Sequence, residues 1–166
     1  MKHKFLLPAL LFALTVQGCT SYYYLVRHAE KVDESADPTL SPAGVLRAEA
    51  LKDRLLGAGI DSIFATPYQR TRNTVKPLAD ALGKTVTTYG TDTTLQFAQA
   101  LQRIRGKDIL VAGHSNTIPE MVQAMTGDTV HIAHDDYDNL FIVKLQWSLF
   151  GKKKSLTKTT YGAASP

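Results

Sequence analysis

The chain has 166 residues, which suggests one domain with at most a short appendage. Hydrophobic residues make up 44% and charged residues 20%, values near globular averages that exclude a disordered chain, a collagen and a polytopic membrane protein. A single cysteine excludes an internal disulfide framework and a cysteine-based metal cluster. The net charge of +4, from 19 basic and 15 acidic residues, is too small and too scattered to indicate nucleic-acid binding.

The N-terminus has the pattern of a secretory signal. Two lysines lie among the first four residues, an apolar run covers residues 5–16, and a small residue, Gly18, precedes Cys19. The apolar run is about half the ~20 residues that a membrane-spanning helix needs. Residues 1–18 are therefore predicted to be a signal peptide, with an uncleaved helix or short anchor as the alternative.

Residues 16–19, Val-Gln-Gly-Cys, resemble the bacterial lipobox, whose cysteine is lipidated and becomes the new N-terminus. The resemblance implies a lipid anchor at Cys19 and a place in the cell envelope, facing the periplasm. Thr20 follows the cysteine, and a residue other than Asp at this position implies the outer membrane. The alternative is a secreted or periplasmic soluble protein.

Strand and helix patterns alternate along the rest of the chain. Strands are predicted over residues 22–26, 60–65, 85–89, 109–112 and 140–145. Four helices are predicted, from Ser41-Pro42 to Gly57, from Thr66-Pro67 to Gly83, over Leu95 to Ile104, and over Thr117 to Met125. The first has the apolar stripe Val45, Ala48, Leu51 and Leu55. The second has Gln69 at the capping-box position, three residues after Thr66. This order predicts a three-layer α/β/α sandwich with a mostly parallel central sheet. Residues 19–166 would form one domain, with its core at about 21–150 and a basic C-terminal tail.

Polar side chains follow the strands of this sheet, where open α/β sheets bind their ligands. The first strand is followed by Arg27 and His28, the second by Thr66 and Arg70, and the fourth by His114, Ser115 and Asn116. Two arginines and two histidines at one edge favour an oxyanion such as phosphate. A neutral imidazole can attack phosphorus, and the cations stabilise the charge on the phosphoryl oxygens. A metal site is the alternative, but it needs a third protein ligand, and the arginines oppose a cation.

Four segments resemble motifs of the histidine phosphatase superfamily, the phosphoglycerate mutase-like proteins. They are Leu25-Val26-Arg27-His28-Ala29-Glu30, Leu40-Ser41-Pro42-Ala43-Gly44, residues 65–74 with Thr66-Pro67 and Arg70, and residues 111–117 with Gly113-His114. Their order agrees with the family, and together they span roughly residues 22–145. The resemblance implies the histidine phosphatase fold and catalysis without metal or cofactor.

The resemblance also implies roles for individual residues. His28 would be the nucleophile that becomes phosphohistidine, Arg27 and Arg70 would hold the phosphoryl oxygens, and His114 would donate to the same group. Ser115 and Asn116 would line the substrate site.

The proton donor for the leaving group is less defined. No glutamate lies between the second-strand and fourth-strand motifs, and Ser115 stands where some members carry an aspartate. Glu30 and Glu120 are the two candidates for the general acid. A capping box with Thr117 is the alternative role for Glu120.

These observations predict a phosphoric monoester hydrolase acting through a phosphohistidine at His28, with a small phosphorylated substrate. One alternative is a phosphatase of phosphohistidine or other phosphoproteins, whose leaving group needs no strong acid. Another is a non-catalytic anion-binding envelope lipoprotein.

In a loop near the site, Tyr137 or Asn139 would touch substrate, and the cluster Lys152-Lys153-Lys154 would lie near anionic lipid or in solvent. The oligomeric state is left open.

Overall fold

The fold is a six-stranded sheet with two helices on each face. The computed structural model describes residues 18–165, so the predicted signal peptide lies almost wholly outside the described residues. The strands are β1 (Cys19–Arg27), β2 (Ser62–Ala65), β3 (Val86–Thr88), β4 (Ile109–Gly113), β5 (Asn139–Ser148) and β6 (Gly151–Thr160). The helices are α1 (Pro42–Leu55), α2 (Gln69–Ala81), α3 (Thr94–Leu101) and α4 (Thr117–Thr126), and one 3₁₀ turn covers Thr91–Thr93.

The strand order is β3-β2-β4-β1-β5-β6. The first four strands are parallel, and β5 and β6 are antiparallel additions at one side. The predicted three-layer fold with a mostly parallel sheet is therefore confirmed. As predicted for a central strand, β4 is buried along its whole length. Because β1, β2 and β4 run in the same direction, His28, Thr66 and His114 all follow strand ends at one edge.

Two hydrophobic clusters hold the layers together. The cluster on one face of the sheet joins it to α1 and α2 through Leu51, Leu55, Val75 and Leu78. The cluster on the other face joins the sheet to α3 and α4 through side chains that include Met121 and Met125. These clusters fix the positions of the helices relative to the sheet. The packed strands in turn hold the loops at the polar edge, which is the edge where His28, Thr66 and His114 follow the strand ends.

Helix α1 begins as predicted, since the Ser41 side chain accepts a hydrogen bond from the backbone N–H of Gly44 at 3.1 Å. Its predicted apolar stripe is wrong at Val45, which is 50% exposed, because the helix buries Gly44 and Arg47 instead. Gly44 lies so close to the loop after β1 that a Cβ atom there would be 2.1 Å from the carbonyl oxygen of Glu30. The glycine of the Leu-Ser-Pro-Ala-Gly segment therefore lets α1 pack against the segment that follows His28.

Helix α2 begins later than predicted, at Gln69 rather than just after Thr66. The Thr66 hydroxyl donates to Thr71 and lies 2.9 Å from the His114 ring, so it does not cap the helix. The first N–H of the helix donates instead to the carboxylate of Asp37, at 2.7 Å. Thr66 thus belongs to the polar edge of the sheet.

The expected basic tail is a strand. Strand β6 pairs antiparallel with β5 along its whole length. Its lysines and threonines lack an apolar face, so no alternation indicated a strand. The pairing is supported by partly buried Leu156 and by the buried ring of Tyr161, directly after the strand.

Candidate active site

An open cleft of about 340 Å³ lies at the carboxyl edge of the parallel strands. Its lining residues are His28, Tyr68, Arg70, Thr91, His114, Ser115, Asn116 and Thr117. The structure thus brings together five of the residues predicted from sequence, from three separate parts of the chain. Tyr68 and Thr91 were not predicted, because Tyr68 occupies a position of the 65–74 segment with no implied role and Thr91 lies outside the four segments.

His28 is 4% exposed and directs one ring nitrogen into the protein. Its Nδ1 atom lies 2.8 Å from the carbonyl oxygen of Ala29. A carbonyl oxygen can only accept, so Nδ1 carries the proton of the neutral ring and Nε2 keeps its lone pair. The backbone therefore selects the tautomer in which Nε2 is a nucleophile.

The second histidine lies across the cleft, with its ring centroid 5.5 Å from that of His28. Its Nε2 atom lies 2.9 Å from Thr66 Oγ1. The Thr71 hydroxyl donates to backbone carbonyls, so it accepts from Thr66, and the Thr66 oxygen must in turn accept from His114 Nε2–H. In the neutral ring, Nδ1 of His114 is then unprotonated. It can donate to a phosphoryl oxygen only after gaining a proton.

Two arginines give the site its positive charge, in different ways. Arg70 lines the cleft on the first turn of α2, with its guanidinium 4.5 Å from the ring centroid of Tyr68. Arg27 is 4% exposed, and its NH1 group donates to the backbone carbonyls of Ala133, His134 and Asp136 at 2.7–3.1 Å. Its Nε atom is buried without a partner. Arg27 therefore holds the loop at 133–136 while keeping a donor unused.

Tyr137 links that loop to the nucleophile. Its ring centroid lies 4.1 Å from the guanidinium carbon of Arg27 and 6.0 Å from the His28 ring centroid. The predicted proximity of this loop to the site therefore agrees with the position of Tyr137, whose ring lies against the Arg27 guanidinium and beside the His28 ring.

Both imidazoles are held neutral. Burial, together with the charges of Arg27, His114 and Arg70, lowers the pKa of His28 to about 3. Burial and the charges of Arg70 and Arg27 lower the pKa of His114 to about 4. At neutral pH the site therefore combines an unprotonated nucleophile with two guanidinium cations, the electrostatic setting that suits an oxyanion.

Neither candidate acid lines the cleft. Glu30 accepts from Arg47 in a bidentate ion pair, with N···O distances of 2.7–2.9 Å. Burial raises the pKa of Glu30, but Arg47 outweighs this and leaves the pKa below its usual value. An ionised, paired carboxylate is a poor proton donor, so this position does not fit the general acid.

Glu120 is the fourth residue of α4 and lies outside the cleft lining. The capping box expected with Thr117 is also wrong, because the helix already includes Thr117, whose hydroxyl accepts from the backbone N–H of His114 at 2.9 Å. The lining given above includes no carboxylate. Residues 18–165 also contain no group of three or more His, Cys, Asp or Glu placed to hold a metal ion.

Replacing Glu30 by Gln is expected to lower stability and leave the chemical step intact. The change leaves the guanidinium of Arg47, whose side chain is 4% exposed, without its charge partner. Because the Glu30 side chain is 23% exposed, we expect a loss of about 2 kcal/mol in the free energy of unfolding. Denaturant unfolding measures the loss. A fall of tenfold or more in the kcat of the folded Glu30→Gln protein would contradict this assignment and restore Glu30 as the acid.

Comparison with known proteins agrees with this geometry. The sequence profile of the "Histidine phosphatase superfamily (branch 1)" matches residues 23–96, which contain His28 and Arg70. Over these residues the chain is similar to the histidine phosphatase superfamily. The rest of the described chain completes the histidine phosphatase fold. No curated protein matches the chain significantly in sequence.

Solved structures of histidine phosphatase fold extend the similarity to most of the chain. A mycobacterial glucosyl-3-phosphoglycerate phosphatase superposes with a TM-score of 0.71 at 10% identity, covering 86% of this chain and 100% of its own. A putative phosphohistidine phosphatase, SixA, from Agrobacterium tumefaciens gives 0.60 at 18% identity, covering 86% and 97%. A phosphoserine phosphatase from Entamoeba histolytica, in complex with 3-phosphoglyceric acid, gives 0.59 at 14% identity, covering 87% and 98%. At these identities the likeness establishes the fold.

Proposed function

We propose that the protein is a metal-independent phosphatase that forms a phosphohistidine on His28. The observation that carries the proposal is the Nδ1–H bond to the Ala29 carbonyl, which leaves the Nε2 lone pair of a neutral ring in a cationic cleft. Nε2 forms a bond to phosphorus as the bond to the leaving group breaks and the leaving group takes that electron pair. Water then attacks the phosphohistidine, releasing inorganic phosphate and returning the ring to its starting form.

The cationic groups in and beside the cleft have distinct parts in this reaction, with Arg27 lying outside the residues that line the cleft. Arg70 donates to the non-bridging oxygens, and Arg27 contributes its buried charge and its unpartnered Nε–H. His114 adds a donor at Nδ1 once the phosphoryl dianion has drawn a proton onto it. Ser115 and Asn116, at the start of α4, line the part of the cleft that would receive the substrate.

A second candidate concerns the leaving group. The lining of the cleft includes no carboxylate, so an alkoxide would depart without a nearby acid. A phosphoramidate such as phosphohistidine accepts its proton readily on nitrogen, and an aryl phosphate releases a weakly basic aryloxide. This favours phosphohistidine in a protein, or a similarly activated phosphoryl compound, over a simple alkyl phosphomonoester.

Turnover of three phosphoryl compounds tests both proposals. We expect hydrolysis of phosphoramidate and of an aryl phosphate, and hydrolysis of glycerol phosphate slower by at least about a hundredfold, the usual contribution of general acid catalysis. Added chelator is expected to change none of the rates. Equal rates on the alkyl phosphate would contradict the leaving-group proposal, and chelator-sensitive turnover would contradict the metal-free one. Phosphate binding without any turnover would support the anion-binding alternative.

Binding of an oxyanion is expected to strengthen as the pH falls from 7 toward 4. The free His114 ring has a pKa of about 4, and a bound dianion raises that pKa by stabilising the imidazolium. Proton uptake at one group gives up to about a tenfold gain in affinity per pH unit. Sulfate is a suitable probe because it stays a dianion over this range. Calorimetric titration with sulfate should show proton uptake by the wild type. The sulfate affinity of His114→Gln should depend less on pH. A pH-independent affinity of the wild type would contradict the tautomer assigned to His114.

For its location, we propose the bacterial envelope, with a lipid anchor on Cys19 and the cleft in the periplasm. Cys19 is the first residue of β1, is partly exposed, and directly follows the predicted signal peptide. Among residues 18–165, no helix is both long and apolar enough to cross a membrane. Mass spectrometry of the mature N-terminus, compared with Cys19→Ser, tests the anchor. The Thr20 residue favours the outer membrane.

A further inference from the structure

The turn between β5 and β6 presents two large apolar side chains to solvent. Leu149 is 76% exposed and Phe150 is 100% exposed. Among the other large hydrophobic side chains of residues 18–165, Leu46 on α1 is exposed to a similar degree, at 72%, but it has no exposed apolar neighbour of that size beside it in sequence except half-exposed Val45. Hairpin turns favour small and polar residues. Exposing an adjacent Leu and Phe at a turn forgoes the favourable free energy that burial of these side chains would provide. Neither side chain belongs to the hydrophobic clusters of the domain.

Positive charge surrounds this turn, Leu149-Phe150, which we call the β5–β6 tip. Lys152, Lys153 and Lys154 follow it at the start of β6, and the guanidinium of Arg105 lies 5.5 Å from the ring centroid of Trp147 at the end of β5. None of the ion pairs found in residues 18–165 includes any of these four cations. Burial and the charges of Lys154 and Arg105 lower the pKa of Lys152. The cations therefore repel one another without a carboxylate between them.

The chain enters the domain at the same end of the sheet. Cys19 lies opposite Trp147 in the β1–β5 pair, and Trp147 lies opposite Lys152 in the β5–β6 pair. With strands about 4.8 Å apart, Cys19 is about 10 Å from Lys152. The apolar segment 5–16 precedes Cys19 by only two residues. Whether that segment is retained or replaced by a lipid, the attachment point and the tip share one end.

The cleft lies at the opposite end. Strand β1 runs from Cys19 to Arg27, and eight residue steps of about 3.3 Å give about 26 Å between the two ends. A bilayer in contact with the tip would therefore leave the cleft open to the aqueous phase.

We propose that the β5–β6 tip is a membrane-docking surface for a bilayer with anionic headgroups. Leu149 and Phe150 enter the interfacial region, while the three lysines and Arg105 contact lipid phosphates. The choice of a bilayer over a protein partner rests on the attachment at Cys19 proposed above and on the uniformly positive surround of the tip. The surface is independent of the phosphatase chemistry. A lipid anchor at Cys19 alone leaves the domain free to rotate about the attachment point, so a second contact beside the anchor fixes its orientation.

Trp147 provides the measurement, because it is the only tryptophan of the chain and lies at the base of the tip. The full chain is incorporated into phosphatidylcholine vesicles with and without phosphatidylglycerol, made with either brominated or ordinary acyl chains. We expect bromolipids to quench Trp147 fluorescence strongly in anionic vesicles and weakly in neutral ones. The double variant Leu149→Ser/Phe150→Ser should lose most of the quenching, and replacing Lys152, Lys153 and Lys154 by Gln should remove its dependence on anionic lipid.

Leu46→Ser is the matched control. Leu46 is 72% exposed on α1, beside Glu30 and Arg47 near the cleft end of the sheet. Its replacement should leave quenching unchanged, and circular dichroism checks that every variant folds. Co-flotation with vesicles reports the anchor separately from docking. Wild-type protein that floats without quenching, or equal quenching in the tip variant, would overturn the docking surface while leaving the anchor intact. Loss of a dimer on tip mutation, without any quenching in the wild type, would overturn it in favour of a second copy of the chain.

Discussion

Replacing His28 by Ala is expected to reduce turnover by more than about a thousandfold, because the variant has no Nε2 lone pair to attack phosphorus. Steady-state hydrolysis of an aryl phosphate measures the loss. His131→Ala is the matched control, since His131 is exposed and outside the cleft lining, and should retain full activity. Oxyanion binding should survive in His28→Ala, because Arg70 and His114 remain in the cleft.

The covalent intermediate gives this prediction a second readout. Turnover by the wild type should be stopped rapidly without acid, because the phosphoramidate bond of phosphohistidine is labile in acid. We expect this to trap a phosphorylated protein whose phosphoryl group maps to the peptide containing His28. Turnover that persists in His28→Ala would contradict the assigned nucleophile. A phosphoryl group trapped on His114 would exchange the roles of the two histidines.

The second large effect is expected from Gly44→Ala. A Cβ atom at this position would lie 2.1 Å from the Glu30 carbonyl oxygen and 3.0 Å from the Glu30 backbone nitrogen, neither of which can rotate away. Helix α1 or the segment after His28 must then move. We expect the free energy of unfolding to fall by about 3 kcal/mol, the upper part of the range for overpacking a well-packed site. Denaturant unfolding at neutral pH is the measurement.

Gly57→Ala is the control for the same helix. It lies just beyond the C-terminal end of α1, and a Cβ atom there meets nothing within 4 Å. Its free energy of unfolding should change by less than about 0.5 kcal/mol. Equal stability of Gly44→Ala and wild type would show that the loop after β1 is free to shift, and the close packing would then have no role in fixing the nucleophile.

Much of the framework was accessible from the sequence, for identifiable reasons. The continuous apolar run at Ile109–Ala112 predicted a central strand because both faces of such a strand are covered. Ser41-Pro42 predicted the start of α1 because the cap is a local interaction. The convergence of His28, Arg70 and His114 followed from the common direction of the parallel strands.

Other features depend on contacts that leave no local signal. Strand β6 is held by backbone pairing with β5, which a run of lysines and threonines does not reveal. The clamp of Arg27 on the 133–136 loop uses carbonyl oxygens more than a hundred residues away in the chain, and every residue type supplies such an oxygen. Glu30 was a candidate acid by its distance in sequence from His28, but Arg47 on α1 turns it into an ion pair. The lipid anchor at Cys19 stays a prediction.

Arg47 has a consequence for handling the protein. Besides Glu30, its NH1 group donates to the backbone carbonyls of Tyr161 and Ala163, at 3.1 and 2.9 Å. The last few residues are thereby fastened to the segment that carries the nucleophile. Truncation of the chain before Tyr161 would remove both acceptors and loosen the segment after His28, so a shortened form of the protein is expected to lose activity through a change far from the nucleophile in sequence.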